Sequence, residues 1–312
     1  MKLLLHYDAG PNLRAMLSDL PSGIRVAVVP PSDPDAAMRE LVDTDMILHV
    51  LAPVTAAMID AAPNLKLIQK VGVGIDAIDV AHAKARGIAV CNMPGTNTAA
   101  VVEMTLGLML ACLRRIPALA AGMADGASWA KSGAIGDGLG EIGGRTVGLV
   151  GYGAVPQRLA PVLQALGARV VVANRTRRQD GVQFVDLDEL LAVSDIVSLH
   201  IPASADTKGL ISASRIARMK PGAILINTAR GSLVDEAALV DALGGGHLAG
   251  AGLDVFAVEP ADPANPLLSL PNVVAMPHVA WLTSGTLRRS LDVALDNAAR
   301  LAAGDQLLFR VA

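Results

Sequence analysis

Thr146-Val147-Gly148-Leu149-Val150-Gly151-Tyr152-Gly153-Ala154-Val155-Pro156 is the stretch whose reading decides the fold. Thr146 to Val150 is a short apolar, β-branched run, the pattern of a buried strand. Gly151 and Gly153 then open a turn, and Gln157 to Leu166 follows as a helical run. Gly167 ends it, and a second strand-like run extends from Ala168 to Ala173. Strand, glycine turn, helix and strand in that order make a parallel β-α-β unit. Gly151 permits the tight turn, and Gly153 lets the backbone approach a pyrophosphate at the positive end of the helix. The same glycines without flanking elements would mark only a turn; the strand before and the helix after supply the dinucleotide reading.

Two positions depart from the usual dinucleotide fingerprint. Pro156 stands where the third glycine is expected. Proline is tolerated in the first helical turn, because its missing N–H would be unpaired there anyway. The end of the second strand ordinarily offers an acidic residue to the ribose 2′-hydroxyl, and this chain has Asn174-Arg175-Thr176-Arg177-Arg178 instead. A carboxylate there would repel a 2′-phosphate, whereas arginine binds phosphate through a planar fork of donors. The expectation is NADP(H) in preference to NAD(H), with NAD(H) still usable. Arg175 and Thr176 are the leading contacts and Asn174 supports them. The plain alternative is a solvated basic loop.

The rest of the chain extends this pattern. Its 312 residues are too many for one ordinary core, so two domains are expected. Hydrophobic residues make up 52% and charged residues 18%, which is ample for burial. A net charge of −3 gives no support for a nucleic-acid partner. Met1 to Leu5 is too short for a signal peptide and reads as a first strand. Val101 to Leu113 is too short to span a bilayer and carries Glu103, so no membrane association is expected. Cys91 and Cys112 form neither a disulfide framework nor a metal-ligand cluster. A soluble cytoplasmic protein without a metal follows.

Lys2 to Tyr7, Arg25 to Val29, Met46 to Val50, Leu67 to Val71 and Ile88 to Cys91 read as strands, with helical patterns such as Ala36 to Leu41 and Thr55 to Ala61 between them. A long helix is expected over about Thr98 to Ala121, capped by Asn97 or Thr98. Gly122 to Gly144 reads as a loop or arm between domains. Alternation resumes to about Met276, and a last amphipathic helix covers about Ser284 to Ala303. The fold class is therefore α/β, with parallel sheets carrying helices on both faces.

Three segments carry candidate chemistry: Asn227-Thr228-Ala229-Arg230-Gly231, Val258-Glu259-Pro260 and Met276-Pro277-His278-Val279-Ala280-Trp281. Each follows an apolar run that reads as a strand, namely Ala223 to Ile226, Gly252 to Phe256 and Val273 to Met276. The carboxyl ends of parallel strands line one crevice, so the three can converge. His278 is the candidate acid/base, because histidine titrates near neutral pH. Glu259 is its expected partner, since a carboxylate orients an imidazole and favours its protonated form. Arg230 is the expected anchor for a substrate carboxylate and can polarise the adjacent carbonyl. Taken singly, His278 could be a loop residue, Glu259-Pro260 a turn, and Arg230 a partner of Asp235 or Glu236. Together they can hold a 2-oxo acid and move a proton while a nicotinamide moves a hydride. Asp254 either bonds the nicotinamide carboxamide or stays buried and structural. His200 ends another strand, before Ile201 and Pro202, and is expected to line the cofactor cleft. Gly72, Val73 and Gly74 follow a strand near the N-terminus and form a possible backbone nest for a carboxylate. Leu51, Ala52 and Pro53 are expected to wall the substrate.

At this point the chain resembles the D-isomer-specific 2-hydroxyacid dehydrogenases over nearly its whole length. The resemblance rests on Val71 to Asp79, Pro94-Gly95-Thr96-Asn97, Gly151 to Gly153, His200-Ile201-Pro202 with Thr207, Thr228 to Gly231, Leu253 to Phe256, Glu259-Pro260 and Pro277-His278. It implies two Rossmann-like domains: a substrate domain from 1–96 plus 282–312, and a nucleotide-binding domain from 97–281 with a dimerisation helix and arm at about 97–144. It implies catalysis by Arg230, Glu259 and His278. It implies cofactor contacts from Gly151, Tyr152, Gly153, Ala154 and Val155, from His200, Ile201, Pro202 and Thr207, and from Thr228, Ala229, Arg230, Asp254, His278 and Ala280. Substrate contacts are implied for Leu51, Gly72, Val73, Gly74, Arg230, His278 and Trp281. Trp281 looks like the tryptophan of the glyoxylate/hydroxypyruvate reductase branch, where it borders the substrate from the dimer partner. The implied activity is NAD(P)H-dependent reduction of a small 2-oxoacid to the D-2-hydroxyacid by a homodimer. The alternatives are a non-catalytic nucleotide-sensing protein of the same fold, or oxidation of another small anion such as phosphite.

Overall fold

The computed structural model describes residues 1–124, 126, 129, 138–176 and 181–312. The chain divides into two compact units, Met1–Asn97 with Trp281–Ala312, and Thr98–Ala280. Each is a parallel sheet flanked by helices, and the class is α/β.

The first unit carries β1 (Lys2–His6), β2 (Arg25–Val29), β3 (Met46–His49), β4 (Leu67–Lys70) and β5 (Ala89–Cys91), in the order β2-β1-β3-β4-β5. Every residue of β1, β3, β4 and β5 is buried, as a parallel sheet covered on both faces requires. Side-chain caps start several of its helices: Asp33 accepts the Ala36 N–H at 2.9 Å, Asp79 that of His82 at 2.9 Å, and Thr283 that of Thr286 at 3.1 Å. The last helix, Ser284–Ala303, ends on Gly304 at φ 76°, where a side chain would be strained.

His6 and His49 end β1 and β3 in register, and both rings are buried without a hydrogen-bond partner on either nitrogen. Burial, helped by the charge of Lys70, pushes the His49 imidazole down to about 3; the Leu51 and Ala52 backbone and the Asp76 carboxylate oppose this, none of them in hydrogen-bonding geometry with the ring. Burial also lowers His6. The folded state thus binds fewer protons than the unfolded chain below pH about 6.5. Stability falls as pH drops from there towards 3, by up to roughly 1.4 kcal/mol per pH unit for His49 alone. His49→Leu is therefore expected to flatten the acid limb of a plot of urea midpoint against pH. A limb as steep as that of the parent chain would place the acid sensitivity elsewhere.

The second unit carries β6 (Thr146–Val150), β7 (Arg169–Ala173), β8 (Gln183–Phe184), β9 (Ile196–Leu199), β10 (Ala223–Asn227), β11 (Leu248–Leu253) and β12 (Val273–Ala275), in the order β12-β11-β10-β9-β6-β7-β8. Successive strand residues feed two cores. Val147, Leu149, Val170, Val172 and Ile226 pack with Leu108, Met109, Leu159 and Leu163 of the helices Thr98–Leu113 and Ala154–Ala165. Val171, Val197, Leu199 and Leu225 pack with Leu190, Ile216, Leu239 and Leu243 of the helices on the other face. The period of two makes each strand apolar on both sides.

Three expectations about element limits are corrected. The long helix is two helices, Thr98–Leu113 and Ile116–Ala121. Arg115 between them is left-handed at φ 49°, and Pro117 has no N–H to continue the ladder. The Leu113 carbonyl accepts from Gly140 N at 2.9 Å instead. β11 starts at Leu248 and stops at Leu253, so Asp254 to Phe256 lie past the strand. The helix after Gly153 begins at once with Ala154 rather than at Gln157, because Pro156 sits inside its first turn. Part of the expected arm, 125, 127–128 and 130–137, lies outside the described residues. Among the described residues no helix is long and apolar enough to cross a membrane.

Candidate active site

The strand order of the second unit turns at β6, with β7 and β8 on one side and β9 to β12 on the other. Ligands of open parallel sheets bind at such a switch point, beyond the carboxyl ends of the strands. Gly151 is in that turn at φ 98°, and a Cβ there would lie 2.6 Å from the His200 carbonyl oxygen. Only glycine fits. Gly153 is exposed, with open space where a Cβ would stand, and it precedes the helix Ala154–Ala165 with no side-chain cap. Ala154 is exposed and Val155 half-buried. This helix start is exposed and carries no side-chain cap, the setting that suits a pyrophosphate. The Tyr152 ring is buried against Phe184, edge-on at 5.4 Å, while its backbone stays in the glycine turn.

At the end of β7, Asn174 is half-buried and donates from its amide to the Thr176 carbonyl at 2.8 Å; Arg175 and Thr176 are exposed. Arg177 and Arg178 lie outside the described residues. At the end of β9, His200 shares a hydrogen bond of 2.9 Å between its Nε2 and Ser198 Oγ, and burial pushes its imidazole down to about 4, so the ring is neutral. Ile201 is half-buried and Pro202 exposed. Thr207 is committed within that loop: its hydroxyl accepts from Ser204 N at 2.8 Å and donates to the Pro202 carbonyl at 2.9 Å.

Thr228, Ala229 and Arg230 follow β10 and are half-buried. Asn227, 1% exposed, shapes this bend. Its Oδ1 accepts from Ala229 N at 3.0 Å and its Nδ2 donates to the Arg230 carbonyl at 2.8 Å. Sequence reasoning quoted Asn227 without a role, although an asparagine closing an apolar strand is a signal for such a clamp. Arg230 donates from Nη1 to the Ala229 carbonyl at 2.8 Å. Neither suspected acidic neighbour is idle: Asp235 caps a helix through Ala238 N at 3.2 Å, and Glu236 accepts from Ala257 N at 2.5 Å and from Asn265 Nδ2 at 3.3 Å.

Glu259 and His278 meet. Glu259 Oε2 lies 2.6 Å from His278 Nδ1, and Oε1 accepts the Phe256 N–H at 3.0 Å. Burial pushes the Glu259 carboxyl up, but the bond and charge of His278, the Phe256 N–H and the Arg230 charge outweigh it and hold the group below its ordinary value. It is a carboxylate at neutral pH, which sets His278 Nδ1 as the donor in this bond and leaves Nε2 as the exchanging nitrogen. His278 adopts φ 56°, an uncommon conformation for a residue with a side chain. Asp254 enforces it. Its carbonyl accepts His278 N at 2.8 Å, its Oδ1 Val279 N at 2.8 Å and its Oδ2 Ala280 N at 2.9 Å. Asp254 is 1% exposed, and burial raises its carboxyl against the pull of those two N–H groups. These bonds give Asp254 a structural part in the His278 turn, and Ala280 is buried with it.

The remaining substrate candidates lie in the first unit. Leu51 and Val73 are exposed, Gly74 half-buried, and Gly72 buried at φ 120°. The Gly72 carbonyl accepts from Met93 N at 2.7 Å and that of Val73 from Asn92 Nδ2 at 3.1 Å, which fixes the loop. Trp281 is 8% exposed, with its ring 6.3 Å from that of Tyr7 at 60°.

Known proteins resemble this chain throughout. It is 40% identical over 260 residues to the hydroxypyruvate reductase of Thermotoga maritima, a match covering 82% of this chain and 84% of that one. It is 40% identical over 288 residues to the D-3-phosphoglycerate dehydrogenase of Mycobacterium bovis, covering 90% of this chain and 53% of the other. The chain therefore spans about half the length of such relatives. Its structure superposes, with a TM-score of 0.85, 32% identity and coverage of 100% and 96%, on the NADPH-dependent glyoxylate/hydroxypyruvate reductase of Sinorhizobium meliloti, solved with NADP and malonate. Residues 106–280 match the family described as D-isomer specific 2-hydroxyacid dehydrogenase, NAD binding domain. With these matches and the strand-end geometry, the chain belongs to the D-isomer specific 2-hydroxyacid dehydrogenase family.

Proposed function

We propose that this protein reduces a small 2-oxoacid of the glyoxylate or hydroxypyruvate type to the D-2-hydroxyacid, with NADPH preferred over NADH. The observation that carries the reading is the 2.6 Å pairing of His278 Nδ1 with an ionised Glu259, just past the strands neighbouring Arg230. When bound, the reduced nicotinamide supplies the hydride. Arg230 holds the substrate carboxylate through its fork and polarises the carbonyl. His278 delivers the proton from Nε2 to the oxygen that gains charge, and Glu259 stabilises the ring and fixes its orientation through Nδ1. The Gly151 to Val155 turn holds the pyrophosphate, and Thr228 and Ala229 lie on the nicotinamide side of the switch point. Gly72 to Gly74 and Leu51 are the candidates for substrate contact within the first unit.

The cofactor preference rests on the end of β7, where exposed Arg175 and Thr176 stand in place of a carboxylate. A homodimer is part of the reading. Leu110, Ile116, Met123 and Trp129, apolar and exposed in the single chain, support it.

Initial rates with glyoxylate, hydroxypyruvate and phosphohydroxypyruvate, each with NADPH and NADH, test the proposal. Consumption of NADPH with at least about tenfold higher kcat/KM than NADH is expected; one lost charge-assisted contact costs that much. Arg175→Ala should remove most of the preference. Equal efficiency with both cofactors would reject the role of Arg175 and leave the catalytic pair standing. Selective turnover of phosphohydroxypyruvate would move the substrate towards that of the phosphoglycerate dehydrogenase relatives, and no turnover would reject the proposal.

A further inference from the structure

The helix Thr98–Leu113 packs closely on the sheet of the second unit. A Cβ on Gly252 of β11 would lie 2.9 Å from Leu108 Cβ and 3.4 Å from Cys112 Sγ. This approach brings the side chain of Thr105 to the end of β10. Thr105 is fully buried, and its hydroxyl makes two contacts: the Val101 carbonyl at 2.7 Å and Thr228 Oγ1 at 3.0 Å. Thr228 is half-buried and is the first residue past β10.

The proton count fixes the direction of both bonds. A threonine hydroxyl has one hydrogen and two lone pairs. The Val101 carbonyl has none to give, so the 2.7 Å contact consumes the hydrogen of Thr105, a common bond from a helical threonine to the carbonyl four residues back. Were that hydrogen turned to Thr228, two oxygens would face each other at 2.7 Å unbridged. The hydrogen between the two threonines therefore comes from Thr228. Its own hydrogen spent on Thr105, Thr228 Oγ1 presents only lone pairs to anything placed beyond β10.

Topology says what would be placed there. With a pyrophosphate at the Gly151 to Ala154 turn, β7 and β8 take one nucleoside and β9 and β10 the other. The basic end of β7 suits the phosphate-bearing ribose, which leaves the nicotinamide for the β10 side. The carboxamide of that ring has both kinds of group, an NH₂ that donates and a C=O that accepts. We infer that Thr105 is a positioning residue which, by taking the hydrogen of Thr228, makes Thr228 Oγ1 an obligate acceptor for the carboxamide NH₂ and so selects one rotamer of the carboxamide. This rests on the dinucleotide reading above. It goes beyond it in assigning a role to a buried residue that no ligand touches.

The probe is the 3-acetylpyridine analogue of the reduced dinucleotide, in which a methyl replaces NH₂ and the C=O is kept. Dissociation constants for analogue and parent are measured by protein fluorescence quenching, without substrate. The unmodified chain should bind the analogue about tenfold more weakly, the order expected for one hydrogen bond. Thr105→Val keeps the side-chain shape and frees the Thr228 hydroxyl to rotate and donate to the C=O, so the ratio should fall towards one. Thr105→Ser keeps the hydroxyl and should restore the discrimination. Thr228→Val, at a half-buried position that tolerates change better, should also abolish it. A ratio near one in the unmodified chain, or one unchanged in both valine variants, overturns the inference while leaving the dinucleotide site intact. Failure of the unmodified chain to bind either dinucleotide overturns both the inference and the reading beneath it.

Discussion

His278→Ala is expected to lower kcat for 2-oxoacid reduction by about 10²–10⁴, the usual worth of general acid help. Dinucleotide affinity should change little. The reason is local: the imidazole is held by a 2.6 Å bond to Glu259 and by an Asp254-braced backbone, and neither is part of the glycine turn proposed for the pyrophosphate. Glu259→Gln tests the pair rather than the residue. The amide keeps the shape and can still receive the Phe256 N–H through its oxygen, but the charge is gone. Loss of a hydrogen bond to a charged partner costs about 1.5–3 kcal/mol, so a drop in kcat of roughly 10–100-fold is expected. Because Glu259 is held below its ordinary value, it stays a carboxylate at and somewhat below pH 4.5; its contribution is lost only as pH falls through that depressed value. Measured kcat in His278→Ala within threefold of the parent would remove His278 from the chemistry.

Gly231→Ala is expected to abolish activity and to lower stability by about 3 kcal/mol or more. A Cβ at this position would stand 1.9 Å from the Phe256 carbonyl carbon, 2.1 Å from its oxygen and 2.3 Å from Ala257 N. These are backbone atoms, so no rotamer relieves the clash, and overpacking of this kind is met by main-chain displacement. The displaced segment is the one whose Phe256 N–H holds Glu259 and whose Ala257 N–H is bound by Glu236. The loss should therefore appear twice, in the urea midpoint and in kcat of whatever folded fraction remains. An alanine variant with the parent's midpoint and rate would show that the approach of the Arg230 and Phe256 segments is not tight in solution.

Much of this site was legible before any coordinates. Gly151 could be assigned because a tight turn demands a backbone conformation that glycine advertises, and Gly153 because a ligand's close approach to a helix start favours a residue without a Cβ. Arg230, Glu259 and His278 could be grouped because each follows a strand-like run, and parallel strands share one carboxyl edge. The last helix could be bounded by its period and by Gly304. The break at Arg115 was also written in Pro117, but the apolar run around it masks the signal. The interior helix limits were harder, since an all-apolar helix such as Thr98–Leu113 has no polar face to mark where it stops.

The sequence by itself determined the α/β class, the glycine turn after the first strand of the second unit and the choice of Arg230, Glu259 and His278 as candidates, because period, glycine placement and charge are local properties of the chain. Only the tertiary structure decided what each side chain is committed to. Tyr152 turns into the core, Asp254 spends both oxygens on Val279 and Ala280, and Thr105 reaches Thr228 from more than a hundred residues away. Those commitments depend on which donors and acceptors packing brings within about 3 Å of each other, and residues distant along the chain leave no trace of that pairing in its local pattern.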